Sequence, residues 1–90
     1  MKKISIKCYG LFSDFENQIN QQLDDESVIT LGDLKKRIAT QLKTKLGENF
    51  KHENTLRNDC AFGIDGKFCD DDFMVNNSME ISILPPVCGG

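Results

Sequence analysis

An α+β fold, a mixed sheet packed on one main helix, is predicted by three observations in this chain of 90 residues. Apolar and polar residues alternate near both ends, at Ile4, Ile6 and Cys8 and again at Met79, Ile81 and Ile83. That two-residue period is the mark of a half-buried strand. Between these runs, Leu31, Leu34, Ile38, Leu42 and Leu46 recur every three or four residues, the spacing of a helix with one buried face. Asp65-Gly66 then separates two short strand-like runs, and that dipeptide suits a tight hairpin because glycine accepts the positive φ of a type I′ turn.

The elements follow in order. Lys2 to Tyr9 forms the first strand, with Ile4, Ile6 and Cys8 on one face and Lys3, Ser5, Lys7 and Tyr9 on the other. Gly10 breaks it, and Leu11 to Phe15 reads as a short helical turn. Asn17 to Leu23 alternates again through Ile19 and Leu23 and is expected to be a weaker second strand; Asp24 to Ser27 is a polar loop. Thr30 opens the helix: its hydroxyl can cap, and Asp33 stands three positions on, like a capping box with a shortened carboxylate. Lys43 and Lys45 suit the negative pole of that helix, and Gly47 is a natural C-terminal cap.

Glu48 to Asp59 is polar and predicts a loop with a short helical piece, anchored by Phe50 and Leu56. Cys60 to Ile64 is the third strand and Lys67 to Cys69 its short return strand. Asp70 to Val75 is expected to be a loop or brief turn, Asn76-Asn77 a further turn, and Met79 to Leu84 the final strand. The two early strands would form a hairpin. The helix supplies a crossover, so the last strand lies most simply beside the first and parallel to it. This order describes a β-grasp, ubiquitin-like domain over residues 1–84, followed by an extended tail over 85–90. If Ile81 and Ile83 face the helix, Leu84 faces outward, in series with Pro85, Pro86 and Val87, and such a run resembles an interface.

Composition narrows the function. The net charge is −3, which argues against nucleic-acid binding, since that usually needs a basic face. Asp24-Asp25-Glu26 and Asp70-Asp71-Asp72 read as solvated loops. The cysteines are Cys8, Cys60, Cys69 and Cys88, with no C-x-x-C spacing, and the single histidine, His52, is distant from all of them; no metal site is expected. Cys8 and Cys60 lie in apolar runs as small core residues, and all four thiols are expected to be free in a reducing compartment. No apolar run approaches the roughly 20 residues that span a bilayer, and Met1-Lys2-Lys3 leads straight into an alternating strand rather than a signal sequence. A cytoplasmic protein without membrane contact is the expectation. There is no nucleophile–base pair, Gly-x-Ser-x-Gly or phosphate-binding glycine loop to suggest a stand-alone enzyme.

The chain ends in Pro85-Pro86-Val87-Cys88-Gly89-Gly90. Two glycines bury no side chain and lose much backbone freedom on ordering. Their use is to enter a narrow slot. The pair of prolines stiffens the base of this arm, which lowers the ordering cost of insertion. Nearly extended, the six residues reach roughly 20 Å, so the arm is expected to offer the Gly90 carboxylate to the buried site of another protein. A carboxylate is a poor acyl donor; conversion to an acyl-phosphate anhydride would give it a good leaving group.

Ile81-Ser82-Ile83-Leu84-Pro85-Pro86-Val87-Cys88-Gly89-Gly90 resembles the C-terminal signature of the small, sulfur-carrying subunit of molybdopterin synthase. That family lies within the wider ubiquitin-like sulfur carriers, which include the thiamine-pathway carrier. Length, element order and opening strand agree along the whole chain, while the specific likeness is in these last residues. The resemblance implies a chain that is no catalyst alone, binds no cofactor and works within a heterotetramer. An E1-like adenylyltransferase would spend ATP to adenylate Gly90, and sulfur from a persulfide donor would displace AMP to leave a thiocarboxylate. The tail would then enter the large synthase subunit and give sulfur to a pterin precursor. Leu84 matches the apolar residue that packs on the large subunit. Pro85, Pro86, Val87 and Gly89 match the tail in its channel. Cys88, within the same stretch, stands where a small unreactive residue is expected, and the stretch from Lys43 to Asp59 is longer than a compact member needs. Three alternatives stay open: a carrier for thiamine or a sulfur-containing amino acid, a protein modifier joined to lysines through Gly90, and a binding domain with an inert tail.

Overall fold

Thr30 opens the main helix as its side chain foretells. In the computed structural model, which describes residues 2–85, helix α1 runs from Leu31–Leu46, and Thr30 Oγ1 accepts the Asp33 N–H at 3.1 Å. The first two helical N–H groups are satisfied from outside: Leu31 donates to the Phe73 carbonyl at 2.8 Å and Gly32 to that of Asp71 at 3.0 Å. Gly47 closes the other end, its N–H donating to the Lys43 carbonyl. Leu31, Leu34, Ile38 and Leu42 are fully buried, and Ala39 joins them. Each of the large apolar side chains contributes about 1.5–3 kcal/mol by leaving water.

The strands are β1 (Lys2–Lys3), β2 (Ser5–Cys8), β3 (Gln22–Leu23), β4 (Ile29–Thr30), β5 (Ala61–Ile64), β6 (Lys67–Phe68), β7 (Met74–Val75) and β8 (Glu80–Leu84). The principal sheet has the order β2-β8-β5-β6. As expected, β8 lies parallel to β2, with Ile6 beside Ile81 and Cys8 beside Ile83. It is antiparallel to β5, with Phe62 beside Ile83 and Ala61 beside Leu84. The last strand is therefore interior, held on both edges. Ile81, Ile83, Phe62, Ile64 and Cys8 are buried in one core with the α1 stripe. β5 and β6 turn at Asp65 and Gly66, whose φ values of 50° and 87° fit the hairpin dipeptide. Mixed sheet, parallel last strand and single covering helix make the β-grasp architecture.

Two small ladders depart from the sequence-based expectation. The second strand does not run from Asn17 to Leu23. Gly10–Gln18 is a 3-10 segment, and only Gln22–Leu23 pairs, antiparallel, with Lys2–Lys3. The early hairpin exists but is confined to those residues and the adjoining bond from the Ile4 N–H to the Gln21 carbonyl at 2.8 Å. Asp70 to Val75 is not wholly a loop, because Met74–Val75 pairs antiparallel with Ile29–Thr30 just ahead of α1. The return strand ends at Phe68 rather than Cys69. Phe50 and Leu56 are the buried anchors of the 48–59 connection, which includes a π-helical turn at Thr55–Asp59.

Side chains replace the missing ladder bonds. Asn77, buried, donates through Nδ2 to the Leu23 carbonyl at 3.0 Å and to Asp25 Oδ1 at 3.2 Å. Gln41 of α1 accepts the Asn20 N–H at 2.7 Å and donates to the Asn20 carbonyl at 2.9 Å. Phe12, Phe15, Phe50 and His52 form a ring cluster, with Phe15 and Phe50 edge to face at 5.6 Å. It ties the 3-10 segment to the connection that follows α1.

Candidate functional site

The site is built where β8 leaves the sheet. Alternation along β8 sends Ile81 and Ile83 into the core, and places Ser82 and Leu84 on the outer face of the sheet. Leu84 and Pro85 are half-buried rather than fully exposed. The Tyr9 N–H donates to the Ile83 carbonyl at 3.0 Å, which extends the parallel ladder past β2 and brings Tyr9 alongside Leu84. With Ala61 paired to Leu84 on the other side, the outer face at this end reads Tyr9, Leu84, Ala61. One row back it reads Lys7, Ser82, Gly63, Phe68. Tyr9 is 47% exposed and Phe68 75%. Gly63 leaves room for the Phe68 ring, which would lie 4.0 Å from a Cβ placed there. The result is an apolar outer face with a basic margin at Lys7, adjoining the base of the tail.

Pro85 is the last described residue, and it is seated. A Cβ placed on Gly10 would stand 2.6 Å from Pro85 Cγ and 3.3 Å from its Cδ. Gly10 also has φ +62°, a left-handed backbone that strains other L-residues. The 3-10 segment that begins there returns to the same sheet end, where Glu16 Oε1 accepts the Cys8 N–H at 2.8 Å. Pro86, Val87, Cys88, Gly89 and Gly90, the rest of the expected site, lie outside the described residues.

Beneath the platform, Cys8 and Cys60 are buried free thiols. Burial, reinforced by the Glu16 carboxylate and by Cys60, pushes the Cys8 thiol up to about 11. Burial and Asp59 push Cys60 up to about 11 against an opposing pull from Lys35. Both are protonated at neutral pH, so neither is an effective nucleophile. They serve as core side chains. Cys69, half-buried, is also free. Among the described residues no three His, Cys, Asp or Glu side chains gather as metal ligands, and no helix is long and apolar enough to cross a membrane.

What this end of the molecule can do is hold β8 on both edges and seat Pro85 against Gly10 as the chain leaves the sheet. Leu84 and Pro85 lie at this end of the sheet, beside Ala61 and Gly10. Gly10, Glu16, Tyr9 and Phe68 were not singled out from sequence. The outward position of Tyr9 was visible in the alternation of the first strand; the approach of Phe68 depends on hairpin register, and that of Gly10 to Pro85 on the parallel pairing.

Comparison with known proteins agrees with this architecture. The profile described as the ThiS family matches residues 7–90. A search of curated protein sequences finds no match. The chain is similar in structure to the Haloferax volcanii HVO 2177 protein, solved in solution, with a TM-score of 0.61, 18% identity, and coverage of 99% of this chain and 87% of that one. At this identity the likeness bears on the fold.

Proposed function

The chain belongs to the ThiS family, whose members are small, non-catalytic, ubiquitin-like sulfur carriers, and from that premise we propose that it carries sulfur for molybdopterin synthesis. In this reading residues 1–84 are the scaffold and 85–90 the working arm. An adenylating enzyme activates the Gly90 carboxylate with ATP. A persulfide donor then attacks the acyl carbon, AMP leaves, and reductive cleavage of the S–S bond by a thiol leaves the thiocarboxylate. The large synthase subunit receives Pro85, Pro86, Val87, Cys88 and Gly89 in its channel and Leu84 on its surface, and the sulfur passes to a pterin precursor.

The observation that supports this reading is the footing of the arm in the sheet. β8 is pinned along both edges by β2 and β5, so the strand that bears the arm is held rigidly up to Leu84. A group that must reach a fixed catalytic centre gains from such a base, because effective molarity depends on orientation. The apolar outer face of Tyr9, Leu84 and Phe68 gives a partner something to grip beside the arm.

A second reading within the same family is carriage of sulfur to thiamine synthesis. The pair of prolines behind an apolar strand supports the molybdopterin assignment over it. Intact mass of the chain recovered from its own cells tests sulfur carriage: a fraction should show one oxygen exchanged for sulfur, mapped to Gly90 by fragmentation so that an oxidation elsewhere is told apart. Incubating that thiocarboxylate with a molybdopterin synthase large subunit and, separately, with a thiazole synthase should give sulfur transfer in the first. Transfer only in the second overturns the pathway; no sulfur on Gly90 overturns the carrier.

A further inference from the structure

We propose that Gly10 is a positioning residue for the tail: by carrying no side chain it forms the seat of Pro85, and so sets the direction in which the arm leaves the sheet. The inference rests on the carrier reading and extends it to a residue far from Gly90 in sequence.

Two independent features of Gly10 converge. Its φ of +62° lies where side chains are strained, and its Cα hydrogen faces a proline ring. A Cβ at that point would stand 2.6 Å from Pro85 Cγ and 3.3 Å from Cδ, closer than carbon atoms pack. The ring cannot rotate away, because its φ is fixed by the pyrrolidine, and Leu84 before it is locked in register with Ala61. Gly10 is equally constrained. Tyr9, just before it, bonds the Ile83 carbonyl at 3.0 Å, and the 3-10 segment after it is fastened through Glu16 to the Cys8 N–H at 2.8 Å. Both sides of the contact are held, so an added methyl group must push on Pro85 itself. A small turn of the arm at Pro85 is magnified over the residues that follow. Its length spans roughly 20 Å at full extension, and a 1 Å misplacement of a reacting group can cost about 100-fold in rate.

The contact makes a specific claim about Pro85. Alanine at 85 removes Cγ and Cδ and keeps only Cβ, which lies 3.9 Å from the position of a Gly10 Cβ, an ordinary contact. Gly10→Ala should therefore harm sulfur loading in a chain with Pro85 and add little in a chain with Pro85→Ala. The readout is the rate of Gly90 thiocarboxylate formation in an extract of the source cells supplied with ATP, magnesium and cysteine. It is followed by mass against carrier concentration for folded protein of equal amount. Misdirection predicts a maximal rate lower by ~10-fold or more with a half-saturating concentration changed by less than about twofold, since the docking face is intact.

A tenfold loss that is the same in both backgrounds overturns the proposal, since it would arise from backbone strain and not from the seat. Equal rates for wild type and Gly10→Ala overturn it as well. If Gly10→Ala does not fold, Gly10→Asn keeps the Cβ in a residue that tolerates positive φ and is judged by the same comparison. If neither folds, proton–proton contacts in the wild-type chain decide: a Gly10 Hα to Pro85 Hγ cross-peak upholds the seat, and its absence overturns it. A wild-type chain that gains no sulfur sinks the carrier reading and this inference together; a loaded wild type equalled by its variants sinks this inference alone.

Discussion

The Glu16 carboxylate accepts the Cys8 N–H at 2.8 Å, and in doing so occupies the place that a neighbouring strand would take at the outer edge of β2. A charged acceptor for a part-buried backbone donor is worth more than a neutral one. Glu16→Ala should cost about 1–3 kcal/mol and speed hydrogen exchange at the Cys8 amide, while Glu16→Gln, which keeps an acceptor oxygen, should cost less. An unchanged denaturation midpoint with unchanged amide protection in Glu16→Ala would contradict this role.

Cys8 and Cys60 make stability depend on alkaline pH. Each thiol is raised in the folded chain from 9.0 to about 11, so the fold favours the protonated form. That contribution is fully present below pH 9 and is lost as the pH rises toward about 11. In that window the unfolded chain binds fewer protons than the native one, so unfolding free energy falls by up to about 1.4 kcal/mol per pH unit for each thiol. Denaturant melts of the wild type and of Cys8→Ala/Cys60→Ala, in steps across this range, provide the check: the double variant should lose most of the slope. A slope of equal size in both refutes the linkage.

Leu84 offers a test of docking separate from folding. Because it is half-buried at the outer face, Leu84→Asp should move the thermal midpoint only modestly. In the proposed complex with a molybdopterin synthase large subunit, burying an unpaired carboxylate would cost about 2 kcal/mol or more. A rise of tenfold or more in the dissociation constant, read by calorimetry, is expected; an unaltered constant would remove Leu84 from the interface.

A single alanine added after Gly90 should abolish thiocarboxylate formation without altering the fold. In the proposed mechanism the extension moves the terminal carboxylate one residue too far and puts an amide where the adenylate would form. Matching amide spectra with no sulfur gained is the expected pair of results, and sulfur found on the added alanine would defeat the requirement for a terminal glycine.

Asn77 bridges the Leu23 carbonyl and Asp25 Oδ1 across the shortened hairpin. Asn77→Ala leaves a buried carbonyl without that donor and should cost about 1–3 kcal/mol. Asp25→Ala, which spares the bond to Leu23, should cost less. Chemical denaturation ranks them, and the reverse order would show that the surface carboxylate, not the buried amide, holds this corner.

The amino-acid sequence by itself determined the parts of this protein that depend on near neighbours. The α1 stripe from Leu31 to Leu46, the Thr30 cap and the Asp65-Gly66 turn follow from 3.6-residue periodicity, a side-chain oxygen within one turn, and backbone conformation. The parallel seat of the last strand followed too, since a helix is the natural crossover between parallel strands. Only the tertiary structure decided the rest. The pairing of Ile29–Thr30 with Met74–Val75 and the loss of pairing over Asn17 to Asn20 involve ladders too short to leave a period in the sequence. The Gly10 seat and the Glu16 edge bond depend on distances between backbones that meet only after β2 and β8 align. Local geometry is written in the spacing of side chains, whereas the fit of one backbone against another is settled by packing among residues distant along the chain.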